Sequence, residues 1–165
     1  MWVMNLPAKF VSGTRVQLGD KALIPAFGDS HIHFASFATF HAGLNPFRTY
    51  ADNGILQALG SDGPCTDPEP MVRVHKACNN GAKSLTVQQA LTMATYNTYW
   101  MSFDEKDRGS LEVGKFADMV ILSGNPYETD VTKLDTIHVE QLLLQGEPYQ
   151  KIRQKPILHV LRGMK

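Results

Sequence analysis

Apolar and polar positions change their period several times along the chain, and each change marks an element. In "RVQLGDKALIPAF" short apolar runs flank the Gly19-Asp20 turn, which predicts two short strands. "DSHIHF", just after Gly28, alternates polar and apolar as a short strand does. Residues 35–44 suit one helix or a loop. "NPFRTYADNG" predicts a helix, with Pro46 near its start and Gly54 at its end. "GILQALGSD" is almost continuously apolar, as a parallel strand covered on both faces would be. "TDPEPMVRVHKACNNG" predicts a helix capped by Asp67, with Pro68 in its first turn and Gly81 as its stop. Its apolar stripe is Met71, Val74, His75 and Cys78, at helical spacing.

A second helix is predicted over "LTVQQALTMATYNTYWM". Thr86 and Gln89 have the spacing of a capping box, and Leu85 and Ala90 that of a hydrophobic staple. Tyr96, Tyr99 and Trp100 on this helix are read as core packing. The period then shortens. "GSLEVGKFADMVILSGNPY" and "IHVEQLLLQGEPYQ" are strand-rich, with turns at Gly114 and Gly146. The basic tail "KIRQKPILHVLRGMK" suits a terminal strand or a short helix.

Composition narrows the choices. The chain has 165 residues, with 16 Lys and Arg against 16 Asp and Glu, so its formal charge is zero. Nothing in that balance favours a nucleic acid or an anionic membrane as partner. No apolar run approaches the roughly 18 residues of a membrane helix. "MWVMNLPAKF" lacks a basic leader followed by an apolar core, which argues against a signal peptide. Cys65 and Cys78 form no CxxC pattern and read as reduced thiols of a cytoplasmic protein.

The chemistry gathers in two places. Residues i and i+2 of a strand share a face, so His31 and His33 can hold one metal ion, with ring nitrogens about 2 Å from zinc. A lone His-x-His is more often a chance pair on a strand than a ligand pair. The lead-in "IPAFGDS", the later "LGSDGP" and the "GSLEVGKFADMVIL" strand pair shift that balance. Asp62 ends its apolar run, where an acid can bind a metal or take a proton from an activated water. His41 is a third-ligand candidate only if its segment folds back; an ordinary helix or loop histidine is the better reading. His75 reads as a satisfied core histidine. Cys65, three residues after Asp62, matches no zinc spacing. Asp118 reads as structural, bonding backbone amides.

Together these motifs resemble the amidohydrolase superfamily, and within it the branch of N-substituted formamide deformylases. "LIPAFGDSHIHF" resembles the first barrel strand and its metal-binding pair, and "QALGSDGP" the eighth strand. "LTVQQALTMATYNTYWMSFDEKDRGSLEVGKFADMVIL" resembles the last helix and its return into a small β-sandwich. The resemblance implies an α/β fold: a remnant of a (β/α)8 barrel, strands one and eight with their helices, plus a small β-sandwich-like region from both ends of the chain. The boundaries expected are 1–27 and 107–165 for the β region and 28–106 for the truncated barrel. It implies a metal-dependent hydrolase of non-peptide C–N bonds with one or two divalent ions, usually zinc. His31, His33 and Asp62 are then metal ligands, and Asp62 is also the catalytic base. A small amide-type molecule is the implied substrate.

The spacing departs from the family. The 28 residues between His33 and Asp62 leave no room for six intervening βα units, each about 30 residues. The chain therefore reads as internally deleted, with a join near "AGLN|PFRTY", and as clipped at its N-terminus. The alternative is a catalytically inactive deletion remnant with a structural or assembly role. Open sheet edges would favour a homo-oligomer.

Overall fold

The computed structural model describes residues 17–28, 47–61 and 69–149. Its regular elements are β1 (Ala22–Pro25), α1 (Phe47–Asp52), α2 (Pro70–Cys78), α3 (Val87–Ala94), α4 (Tyr96–Met101), β2 (Met119–Leu122), β3 (Val139–Leu144) and β4 (Glu147–Pro148). Short 3-10 turns cover 81–83 and 131–136.

The four strands form one antiparallel sheet in the order β1-β2-β3-β4. Residues of period two make its inner face: Ile24 lies opposite Val120, which lies opposite Leu142, and Ala22 lies opposite Leu122. Val120 and Leu122 are buried, and they share one core with α2 and α3. From α2 come Met71, Val74, Ala77 and Cys78; from α3 come Ala90, Leu91, Met93 and Ala94. Leu134 and Ile137 close that core from the 131–136 side. A register shift between Ile121 and Leu122 lets the sheet turn against the helices.

The β3–β4 hairpin turns at Gln145 and Gly146, both with positive φ (52° and 84°), the geometry of a tight two-residue turn. Gln145 has a side chain and needs support in that region. Its amide donates to Asp118 Oδ1 at 2.8 Å, and the Gly146 amide donates to the Ala117 carbonyl at 2.9 Å. Asp118 is buried, and its other oxygen pairs with Arg108. The structural reading of Asp118 holds, with a charged partner that the sequence did not indicate.

Several elements differ from expectation. Residues 55–60 form no strand, and no described strand lies beside them. A fully covered strand needs neighbours on both sides; here Ile55 and Leu56 are 54% and 41% exposed. Every described strand belongs to the antiparallel sheet, so no barrel strand is seen among the described residues. Residues 17 and 18, before the Gly19-Asp20 turn, are likewise not a strand.

Helix α2 begins later than expected. Its N-cap is Glu69, with Pro70 at the first turn, because a proline there loses no helix hydrogen bond. Asn79 caps the other end, and Gly81 opens the next 3-10 turn rather than stopping α2. His75 sits at the edge of the core, its Nδ1 3.2 Å from Asp135 Oδ2. The Thr86–Gln89 capping box forms as predicted, and Leu85 and Ala90 are both buried beside it. The single helix expected to follow is two, broken at Thr95. The break turns Trp100 outward, so it is 45% exposed rather than packed in the core. No described helix is long and apolar enough to cross a membrane.

Candidate functional site

His31, His33 and Asp62 lie outside the described residues, as do His41, Cys65, the expected cap Asp67 and the basic tail. Among the described residues no group of three or more His, Cys, Asp or Glu side chains could hold a metal ion. What the structure describes is the support at the root of each motif, and both roots meet at the α3–α4 break.

The break follows from "ATYNTYW". Thr, Asn and aromatic residues favour a helix interior weakly, and a Thr hydroxyl competes for backbone carbonyls. The Thr95 backbone is far from helical (φ −121°, ψ −92°), while its hydroxyl donates to the Leu91 carbonyl at 2.8 Å. In an unbroken helix the Met93 and Ala94 carbonyls would serve the amides of Asn97 and Thr98. Here they serve the rest of the chain. The Leu59 amide donates to the Met93 carbonyl at 3.0 Å, and the Gly28 amide donates to the Ala94 carbonyl at 3.1 Å. Thus two consecutive carbonyls hold the segment that leads to His31 and the segment that leads to Asp62.

Side chains of α4 complete the junction. The Thr98 hydroxyl also donates to the Met93 carbonyl at 3.0 Å. Asn97 Nδ2 donates to the Gln57 carbonyl at 2.7 Å, and Gln57 Nε2 donates to the Phe47 carbonyl at 3.0 Å. Gly28 packs directly on Thr98: a Cβ there would lie 2.5 Å from Thr98 Cγ2 and 2.8 Å from Thr98 Cβ. Only glycine fits that approach. Ala26, before it, donates its amide to the Asp118 carbonyl at 2.9 Å, so the root of the first motif is fixed from two sides. Ser61, the last described residue before Asp62, is 2% exposed. Tyr99, also close to Gly28, has its phenol pKa raised, by burial first and by the Asp118 charge second.

Asn97 and Thr98 were not among the sequence candidates. The cluster of poor helix formers at 95–98 weakens a single helix there but does not by itself give a break or its partners. A shallow groove between Lys21, Glu140, Pro148 and Tyr149 shares no residue with the junction.

Comparison with known proteins gives the family of the chain. A sequence model described as "Amidohydrolase family" matches residues 38–150, a block that takes in Leu59, Asp62 and the α3–α4 break and begins after Gly28 and His33. The N-substituted formamide deformylase of Arthrobacter pascens is 29% identical over 115 residues, covering 64% of this chain and 21% of that protein. The 5-methylthioadenosine/S-adenosylhomocysteine deaminase of Thermoanaerobacter pseudethanolicus is 35% identical over 95 residues, covering 53% of this chain and 22% of its own length. The chain therefore spans about a fifth of the length of these curated relatives. A solved adenosine deaminase from Xanthomonas campestris, with zinc bound, superposes with a TM-score of 0.55 at 21% identity, over 72% of this chain and 32% of that one. That likeness is one of fold.

Proposed function

The chain belongs to the amidohydrolase family, and from that membership we propose that its chemistry is metal-dependent hydrolysis of a non-peptide C–N bond in a small amide-type substrate. The observation that supports it is the junction: the segments leading to His31 and to Asp62 are hydrogen-bonded to neighbouring carbonyls, Ala94 and Met93. Both named relatives, a deformylase and a deaminase, act at C–N bonds.

The donor set in the sequence, two imidazoles and one carboxylate, suits a divalent ion such as zinc, although no described residue adds to it. When bound, such an ion supplies Lewis acidity and brings the pKa of water towards neutrality. In this proposal His31 and His33 hold the ion. Asp62 shares in holding it, takes the proton of the attacking water and passes that proton to the leaving nitrogen. The junction keeps the roots of these residues fixed.

A second reading is supported by residues 55–60. That run is apolar enough for a covered strand, yet Ile55 and Leu56 are exposed. A chain with 28 residues between His33 and Asp62 lacks the length of a barrel wall that would exclude water. In this reading the chain binds metal weakly, has no turnover and associates through its uncovered apolar segment.

One experiment separates the readings. The full chain is purified, its zinc content is measured, and N-substituted formamides and N-acyl amino acids are offered as substrates. Zinc-dependent turnover that disappears in Asp62→Asn supports the hydrolase. Zinc that depends on His33, without turnover, supports the second reading. A wild type that takes up no zinc and turns over nothing refutes the hydrolase and favours the inactive remnant.

A further inference from the structure

We propose that Asn53 is a site of spontaneous deamidation, and that the acid formed there uncaps α1. The sequence holds two Asn-Gly pairs, Asn53-Gly54 and Asn80-Gly81. In such a pair the glycine nitrogen can attack the Asn side-chain carbonyl carbon, because no Cβ crowds the approach. A carbon–nitrogen bond forms to close a succinimide ring, and the side-chain carbon–nitrogen bond breaks. Ammonia leaves and carries away the glycine amide proton. Water then opens the ring at either carbonyl, giving aspartate or isoaspartate. The net change is one water in and one ammonia out, so no oxidant, metal or partner is required. The inference is independent of the proposed hydrolase.

The fold separates the two pairs. Asn53 and Gly54 are exposed and directly follow α1, a helix of only six residues. The Gly54 amide donates to the Ala51 carbonyl at 3.1 Å, and Asn53 Nδ2 donates to the Thr49 carbonyl at 2.7 Å. Both bonds belong to the last turn of a short helix, where opening costs little. One fraying event frees the attacking nitrogen and the carboxamide together. Asn80 is half-buried, its amide donating to Ser84 Oγ at 2.7 Å and its carbonyl accepting from the Lys83 amide at 3.1 Å. The chain is fixed on either side of it. Asn79 Nδ2 donates to the Val131 carbonyl at 2.9 Å, and the amide of buried Leu85 donates to the Ala77 carbonyl at 3.0 Å. Freeing Asn80 therefore requires opening part of the core.

The product at position 53 cannot do what Asn53 does. The Thr49 carbonyl accepts from both the Asn53 amide, at 3.2 Å, and Nδ2. A carboxylate has no proton to donate there. It also lies at the negative end of the helix, beside Asp52, whose charge is already paired with Arg48. The last turn loosens, and with it the bond from the Ile55 amide to the Tyr50 carbonyl.

The test holds the purified full chain at mildly alkaline pH for days, once native and once in urea. Tandem mass spectrometry of its peptides follows the conversion of Asn53 and Asn80 separately. In the native protein Asn53 is expected to convert roughly tenfold faster than Asn80 or more, because only its turn opens locally. In urea the two are expected to convert at similar rates. Native rates that are alike, or Asn80 ahead of Asn53, overturn the inference. So does a native Asn53 that stays intact while the same residue converts in urea. The uncapping is read by hydrogen exchange in Asn53→Asp. The Gly54 and Ile55 amides are expected to exchange roughly tenfold faster than in the wild type, with Leu85 unchanged. Exchange that is unchanged at Gly54 and Ile55, or raised equally at Leu85, overturns the uncapping. If Asn53→Asp does not fold, the same exchange measured on wild-type protein aged until Asn53 has converted decides.

Discussion

The Gln145 amide donates to Asp118 Oδ1 at 2.8 Å, tying the tip of the β3–β4 hairpin to the residue before β2. The contact spans the turn whose backbone most needs it, since Gln145 has φ +52°. Asp118 also faces Arg108, which stacks 4.7 Å above the Phe116 ring. One buried carboxylate thus fixes a turn, a loop and the strand between them.

Replacing that carboxylate has a graded cost. Asp118→Ala leaves the Gln145 amide and the Arg108 guanidinium without their acceptor and is expected to cost about 2–3 kcal/mol. Asp118→Asn keeps an oxygen for Gln145 and loses only the charge facing the partly exposed Arg108, so it costs about half as much. Denaturant unfolding of the two variants checks the ranking. Equal losses would show that the backbone bond contributes nothing.

Met71, on α2, is fully buried in the core. Met71→Ala is expected to destabilise by about 3 kcal/mol through lost burial and the cavity left behind. Leu56→Ala, at an exposed position, is expected to change stability by less than about 0.5 kcal/mol. Thermal melts of the pair give the comparison.

Cys78 lies in the same core, and burial pushes its thiol pKa from 9.0 up to about 11. Two units mean about 100-fold less thiolate at pH 8 than an ordinary thiol would carry, so alkylation in the native state is slow. Peptide mapping after brief iodoacetamide treatment should show Cys78 unmodified in the folded protein and modified in urea. Because the folded value is raised, the neutral thiol's contribution to stability is complete below pH 9. It is lost as pH rises from 9 towards 11. Alkaline unfolding should therefore move to higher pH in Cys78→Ala.

The apolar exposure at Ile55 and Leu56 predicts self-association in the second functional reading. Ile55→Lys combined with Leu56→Lys is expected to weaken it roughly tenfold, about 1.4 kcal/mol. Sedimentation over a concentration series reads this directly. Association unchanged by both lysines would exclude this surface.

Elements fixed by neighbours in the sequence were legible. The Thr86–Gln89 box, the stripe of α2 and the β3–β4 turn each depend on residues within one turn or one hairpin. The break at Thr95 was not legible, because the partners that make it favourable, Gly28 and Leu59, are far away in the sequence. The strand expected over "GILQALGSD", residues 54–62, is absent from its described part for the converse reason. Its apolar residues specify a covered strand only where neighbouring strands supply the cover. For the site, the sequence pointed to His31, His33 and Asp62, and the described residues supply only their roots. Asn97 and Thr98 came into view through hydrogen bonds, which no residue pattern displays.

The pairing of β1 with β2 also orders the events of folding. About a hundred residues separate the two strands. β2, β3 and β4 are joined by short connections and can pair as soon as they exist, since local contacts close quickly. β1 must wait. During synthesis, at about 5–20 residues per second, its partner appears roughly 5–20 seconds after β1 itself has been made. Through that interval the segment Ala22–Pro25 has no sheet to join. The first strand can thus join the sheet only after β2 exists, and the junction at Met93 and Ala94 closes when Gly28 and Leu59, both made before it, are brought to it.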